Sequence, residues 1–301
     1  MTATPHMNDR LEDGMENVAL MDLVDEVRDL PLTVSEVLSQ VITECDNPDA
    51  SVASLARIMA GDQALAAMVL KLANSAYYGY ARKIESLPDA VVLLGFASVK
   101  NLAITASITR LLAASNDELS KQREDIFNHS LCVAIGSRLL GRQKRISGEK
   151  AFVGGLLHDL GLIVLVCYRK PQFVALYQAA VEAGKSYAEV EEGILGYAHA
   201  ELGALVAAEW KFPPALCEAI RYHHDPEAAA TETQLARAVH IADWVAKKLG
   251  VGYTPESLPE TPDPAACAQY GLDEAGLARL VEDVRSEFFD NDSLRGLGRV
   301  A

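Results

Sequence analysis

The chain has 301 residues, half of them hydrophobic, and a formal net charge of −15. This length is too great for one small core, so two helical units or one large one are expected. The acidic balance excludes a general nucleic-acid-coating role, which needs a basic surface.

Other compositional features bear on where the protein resides. No uninterrupted apolar run approaches the ~18 residues of a membrane-spanning helix, so we expect no membrane insertion. The N-terminus has no basic-then-apolar signal pattern. The five cysteines are scattered, without any Cys-x-x-Cys. This pattern is typical of free thiols in a reducing compartment, so we expect a cytoplasmic protein.

Helical spacing of apolar residues dominates from the N-terminal third onward, as at Leu65, Met68, Val69 and Leu72. Strand alternation with hairpin turns is absent, so the prediction is an all-α fold. The chain divides into four predicted parts: a flexible N-terminal arm (1–19), an N-terminal helical part (20–115), a second helical part that carries most of the histidines (116–250), and a proline-rich loop followed by C-terminal helices (251–301).

Capping signals predict where several helices begin. Thr33–Glu36 and Ser186–Glu189 fit the capping box, in which two side chains satisfy the first free backbone amides of a helix. Asp62 is a predicted N-cap. Pro88 and Pro214 are predicted in first helical turns, where proline costs no hydrogen bond.

Gly95 and a basic group each allow two interpretations. Gly95 indicates a helix break or a point of close packing. The basic group indicates a solvated helix end and loop, which we favour, or a phosphate-attracting rim beside the histidines. Its members are Arg138, Arg142, Lys144, Arg145 and Lys150.

The histidines form the most informative pattern. His158-Asp159 is one doublet, His223-His224 is another, and Asp243 follows. Imidazole and carboxylate groups on facing helices are the usual ligands for a divalent metal in a helical protein. The alternative is that these histidines serve packing and hydrogen bonding. His240 lies three residues before Asp243 on the same helix face; a spare ligand is one interpretation, and the favoured one is that it supports the ligands or packs.

Several ordered motifs resemble the HDOD domain, the HD-related output domain of bacterial signalling proteins. They are Leu30-Pro31, Ile58–Leu65, Val69–Gly79, Ile84–Gly95, Gly154–Gly161, His199–Gly203 and Trp210–Pro226. The resemblance implies an HD-superfamily-like helical bundle with an N-terminal helical subdomain. It also implies a role in bacterial signal transduction.

The resemblance further implies a metal-ligand set. The HD pattern of a His, a His-Asp doublet and a later Asp is matched by His129, His158-Asp159 and Asp243. Related HD-GYP phosphodiesterases add ligands for a second metal, matched by His199 and the pair His223-His224. The implied cofactor is one or two divalent ions of Fe, Mn, Zn, Ni or Mg.

Two departures from catalytic relatives concern activity. Leu162 stands where such relatives often carry a phosphate-contacting lysine. The Gly-Tyr-Pro element expected after His224 is missing. We therefore predict that hydrolysis of cyclic dinucleotides is absent or very weak.

Three functions remain open at this point. The leading one is a signalling module that binds a protein partner or senses a ligand such as a nucleotide. The alternative is a metal-dependent phosphohydrolase acting on a nucleotide or phosphoester. The third is a structural adaptor with a vestigial site, which metal content would distinguish from the other two.

Overall fold

The computed structural model describes residues 20, 36–45, 47–74, 82–113, 117–144, 146–210, 212–252 and 261–290. Within these residues every regular element is a helix and no strand occurs, so the all-α prediction is confirmed. The predicted flexible arm, the start of the Thr33 capping box and most of the proline-rich loop lie outside the described residues.

The helix bounds in chain order are as follows: α1 (Glu36–Cys45), α2 (Val52–Ala60), α3 (Gln63–Ala73), α4 (Leu87–Ala113), α5 (Ser120–Gln143), α6 (Gly148–Leu157), α7 (Leu160–Tyr168), α8 (Lys170–Ala183), α9 (Tyr187–Leu195), α10 (His199–Glu209), α11 (Pro214–Arg221), a short 3₁₀ helix (Pro226–Ala228), α12 (Thr233–Lys248), α13 (Pro264–Tyr270) and α14 (Glu274–Phe289).

The predicted capping signals begin helices where they lie within the described residues. Asp62 precedes α3 and its carboxylate accepts from the amides of Ala64 and Leu65, both at 3.0 Å. Ser186 and Glu189 form the capping box of α9. Pro214 is the first residue of α11, where its missing N–H costs nothing.

Gly95 breaks α4. Its φ of 81° and ψ of 164° lie outside the helical region, and its positive φ favours glycine because a side chain would be strained there. A Cβ added at this position would meet nothing within 4 Å. Of the two interpretations of Gly95, the structure therefore shows the helix break and not the close packing.

Buried apolar side chains form one cluster that runs from Leu20 to Phe288. Polar contacts join α4 to the histidine-bearing helices across it. The Asn101 amide on α4 donates to the Glu149 backbone carbonyl of α6 at 3.1 Å and to the Glu149 carboxylate at 2.5 Å. The N-terminal helices and the histidine-bearing helices are therefore held together by both apolar packing and hydrogen bonds.

Two glycines bring α7 unusually close to α10. A Cβ added at Gly161 would lie 2.0 Å from the backbone oxygen of His199. A Cβ added at Gly203 would lie 2.8 Å from the backbone nitrogen of Gly161. Because neither residue has a side chain, the two helix backbones touch at this point, which places His199 beside the start of α7.

Two helical stretches are more apolar over their length than the sequence interpretation expected. Leu87–Leu112 and Gly148–Tyr168 are long and apolar enough to cross a membrane, by length and composition alone. In the most apolar windows of these stretches, 56% and 89% of the residues are buried inside the protein. Core helices pass the same test, and the second stretch is interrupted at His158-Asp159.

Two members of the basic group, Arg138 and Lys150, pair with acids of neighbouring elements. Arg138 bonds Glu287 of α14, and the Lys150 ammonium lies 2.9 Å from the Glu232 carboxylate. Arg145 lies outside the described residues. The described contacts agree with the favoured interpretation, a helix end and loop rather than a phosphate-attracting rim.

Candidate metal centre

The centre is built around a break between two helices. Helix α6 ends at Leu157, and α7 begins at Leu160. Between them Asp159 leaves helical geometry, with φ −96° and ψ 25°. Because the chain turns at this doublet, both side chains enter the interior, where His158 is 1% exposed and Asp159 is 2% exposed.

One group of side chains surrounds the Oδ2 side of Asp159, and we call it the first half-site: His129, His158 and Asp243. The His158 Nε2 atom lies 3.1 Å from Asp159 Oδ2, and the His129 Nε2 atom lies 3.8 Å from it. The His129 Nε2 atom also lies 3.0 Å from Asp243 Oδ1. Helices α5, α6 and α12 therefore bring these predicted ligands to one point.

The remaining predicted ligands surround the other oxygen, and we call them the second half-site: His199, His223 and His224. The Nε2 atoms of His199 and His223 lie 3.2 Å and 3.7 Å from Asp159 Oδ1. The His224 Nε2 atom lies 3.2 Å from that of His199. Asp159 thus presents one oxygen to each half-site, as a carboxylate that bridges two cations does.

Each of the four most buried imidazoles has its Nδ1 atom engaged by an acceptor. A carbonyl or carboxylate oxygen accepts a hydrogen bond, so Nδ1 carries a proton and a metal would be bound through Nε2. The acceptors are Val251 O for His129 (2.7 Å), Gly155 O for His158 (2.8 Å), Glu191 Oε2 for His199 (2.5 Å) and Ile220 O for His223 (2.7 Å). Histidine ligands in metal sites are oriented in this way.

The donor set fits a metal. The Nε2 atom of His223 is buried and has no hydrogen-bond partner, which is costly unless a cation fills the space. Within each half-site the ligand atoms lie within 4.8 Å of one another. Metal–nitrogen bonds of about 2.0–2.1 Å place the ligands of one ion at comparable separations.

Electrostatics keep Asp159 and His223 in the forms that bind metals. Burial alone would raise the pKa of Asp159, but the charges and hydrogen bonds of His158 and His199 hold it well below its usual range. Burial, together with the charge of His158, lowers the pKa of His223 to about 3. Asp159 is therefore ionised and His223 neutral near pH 7.

Glu191 is a buried contributor that the sequence interpretation missed. Its Oε2 atom accepts from the His199 ring and also from the His199 backbone N–H at 3.0 Å. It caps α10 and orients a predicted ligand at once, although it is only 3% exposed. Nothing in the local sequence distinguishes it from the other acids of α9.

The sequence interpretation also missed Lys247, although its spacing of four residues from Asp243 indicates a contact between the two side chains. It lies one helical turn after Asp243 on α12, and its ammonium lies 3.0 Å from Asp243 Oδ2. By contrast, Leu162 has a buried apolar side chain that cannot donate a hydrogen bond to a ligand at the centre.

His240 supports the second half-site without joining it. Its Nδ1 atom donates to the His223 backbone carbonyl at 2.9 Å, and its Nε2 atom accepts from the Asp263 amide at 3.3 Å. This geometry matches the expected supporting role. It anchors the backbone of the His223-His224 pair to α12 and to the turn before α13.

Known proteins share this fold. The family model of the HDOD domain matches residues 30–226. A protein of unknown function from Geobacter sulfurreducens, described as an HDOD domain protein, is 25% identical with a TM-score of 0.76, covering 93% of this chain and 97% of its own. A Shewanella amazonensis protein named "Putative phosphohydrolase" is 26% identical with a TM-score of 0.70, covering 96% and 100%.

A curated relative from Treponema pallidum, named as an uncharacterized protein, is 27% identical over 250 residues. The match covers 81% of this chain but 46% of the relative, so the chain spans about half of that protein's length. The family match extends over well over half of the sequence and includes the His158-Asp159 and His223-His224 doublets. The chain belongs to the HDOD domain family.

Proposed function

We propose that this protein is an HDOD signalling module that holds two divalent cations bridged by Asp159. The observation that carries the proposal is the shared orientation of His129, His158, His199 and His223. Their Nδ1 atoms are all tied to acceptors, and their Nε2 atoms all face one carboxylate. Packing alone does not require this common direction.

The first half-site would hold one cation and the second half-site the other, with Asp159 shared. Such a metal pair polarises phosphate oxygens and lowers the pKa of bound water toward about 7. Five of the seven predicted ligands are imidazoles, which suit Fe, Zn and Ni better than Mg. We therefore favour a transition metal within the set named from the sequence.

Family membership supports the proposed signalling role. We propose that the N-terminal helical part, residues 20–115, contacts a protein partner and that the histidine-bearing part, residues 116–250, senses a ligand, for which a nucleotide is the leading class. None of the five cysteines forms a disulfide, which supports a cytoplasmic location.

Metal analysis tests the proposal. Protein purified without chelator, or loaded anaerobically with Fe²⁺ or Mn²⁺, should hold about two ions per chain. Asp159→Ala should lose both, because it removes the shared ligand, while circular dichroism shows that the helices remain. Asp283→Asn, an exposed carboxylate on α14, is the matched control and should retain both ions. A wild-type protein that binds no metal under either condition would refute the proposal.

A metal-dependent phosphohydrolase is the second candidate. The bridging position of Asp159 favours it, as does the name of the Shewanella amazonensis protein. Turnover of a panel of nucleotides and phosphoesters by the metal-loaded protein, compared with His158→Ala, tests it. We expect no turnover of cyclic dinucleotides, because Leu162 is buried and the Gly-Tyr-Pro element is missing.

A further inference from the structure

The ligands of the centre differ sharply in their exposure. His129, His158, Asp159, His199, His223 and Asp243 are all buried. His224 is exposed, and the side chain of Lys247 retains 21% of its accessible surface. Of these side chains only those of His224 and Lys247 reach the surface, so a molecule from solution would approach the centre beside them, and we call this side the entrance.

Lys247 influences both half-sites from this entrance. Its ammonium contacts Asp243 of the first half-site directly at 3.0 Å. Its charge also contributes to the lowered pKa of His224, after burial and the charges of His223 and His199. A single cation at the open edge therefore acts on ligands of both groups.

The charge balance of the centre indicates what it binds. Two divalent cations would bring four positive charges, and the carboxylates of Asp159, Asp243 and Glu191 would offset three of them. The imidazoles are neutral when they bind metal, and Lys247 adds a further positive charge. The occupied centre thus carries an excess of positive charge at its open side, which favours an anion with more than one charge.

We infer that Lys247 is an anion-binding residue and that the centre takes the terminal phosphate of a phosphomonoester. This inference rests on the proposed metal centre and names its ligand class. A dianionic phosphate offsets more of the excess charge than the single charge of a phosphodiester. Lys247 would move from Asp243 to a phosphate oxygen, and a flexible lysine side chain reaches such a group as a point charge.

The neighbouring lysine provides a matched control. Lys248 lies on the same helix, but its ammonium lies over the Trp244 ring at 5.6 Å from the centroid rather than beside a metal ligand. Both Lys247→Met and Lys248→Met remove one positive charge from the end of α12. Only the first change removes a cation from the entrance.

The experiment measures inorganic phosphate and a nucleoside monophosphate binding to metal-loaded protein by calorimetry, with metal content determined in the same samples. We expect Lys247→Met to keep its metals and to bind both probes about tenfold to a hundredfold more weakly, as for loss of a charged hydrogen bond. Lys247→Arg should recover part of the affinity, and Lys248→Met should bind like wild type.

Any of the following outcomes would contradict the inference. If the metal-loaded wild type fails to bind phosphate, or if Lys247→Met binds it equally well, the inference fails while the metal centre stands. If Lys247→Met loses its metals, Lys247 supports Asp243 instead of a ligand, and the inference also fails. If wild type holds no metal, the proposed function fails and this inference with it.

Discussion

Replacing Gly161 by alanine should remove the second half-site while leaving the first intact. The added Cβ would lie 2.0 Å from the His199 backbone oxygen and 3.1 Å from the Gly203 backbone nitrogen. Ordinary van der Waals contact begins at about 3.4 Å, so α7 and α10 must separate by more than 1 Å. The atoms in the way belong to the backbone of a helix and have no rotamer to change.

Both stability and metal binding should respond. Overpacking of this kind costs about 1–3 kcal/mol, and a backbone clash belongs at the upper end, which lowers Tm by roughly 5 °C in a chain of this length. The His199 Nε2 atom lies 3.2 Å from Asp159 Oδ1, and metal ligation tolerates deviations of only about 0.2 Å. A shift above 1 Å should therefore reduce the metal content from two ions to one.

Gly154→Ala is the matched control on α6. Its added Cβ would meet only side-chain atoms of Leu235 and Val239, both at 3.4 Å, which is ordinary contact. The assay is differential scanning calorimetry together with metal analysis of both variants. If Gly161→Ala matches Gly154→Ala in Tm and keeps two ions, the close approach of α7 and α10 does not position His199, and the reasoning is wrong.

Three further predictions test other contacts. Glu191→Gln should weaken binding of the second cation about tenfold to a hundredfold in a chelator competition, because the His199 ring loses its carboxylate partner; equal affinity would contradict this. The negative charge of Glu191 and the hydrogen bond to Asp159 outweigh burial and raise the pKa of His199 to about 10, so at pH 8 the metal-free protein carries a proton there. Metal loading should release that proton, and calorimetry in buffers of different ionisation enthalpy should find about one fewer proton released by His199→Ala. Hydrogen bonds from Arg123 and Lys170 lower the pKa of Asp117, so its contribution to stability is present above pH ~3.8 and is lost as the pH falls below that value. Asp117→Asn should therefore cost about 1–3 kcal/mol in urea unfolding at pH 7, with a difference that shrinks at pH 2–3; a cost independent of pH would contradict the ion pair as its cause.

Much of this fold is visible in the sequence because the signals are local. Asp62, Ser186 with Glu189, and Pro214 begin helices by satisfying or lacking backbone amides in the first turn, which depends on a few neighbouring residues. The sequence alone allows two interpretations of Gly95, because a helix break and a close approach of two backbones both favour glycine. Only the positions of other chain segments distinguish them, and these are not local.

The ligand residues could be predicted from the sequence, but their arrangement could not. The His-Asp and His-His doublets identify the chemistry, whereas the division of Asp159 between two half-sites depends on the turn between α6 and α7. The role of Glu191 could not be predicted from the sequence, because the fold brings its partner His199 to it. The contact of Lys247 with Asp243 could be predicted from their spacing of four residues on one helix, but the exposure of Lys247 at the edge of the centre could not.

Two of the ligands show how helix ends shape this centre. His158 follows α6 directly and donates from Nδ1 to the carbonyl of Gly155, three residues earlier, in the last turn. His223 stands just beyond α11 and does the same to Ile220, again three residues earlier. The last carbonyls of a helix have no partner within it, so each ring satisfies one of them. The same hydrogen bond fixes the tautomer and turns Nε2 toward Asp159. The fold therefore orients these ligands before any cation arrives, because the contact that ends each helix is also the contact that aims its histidine.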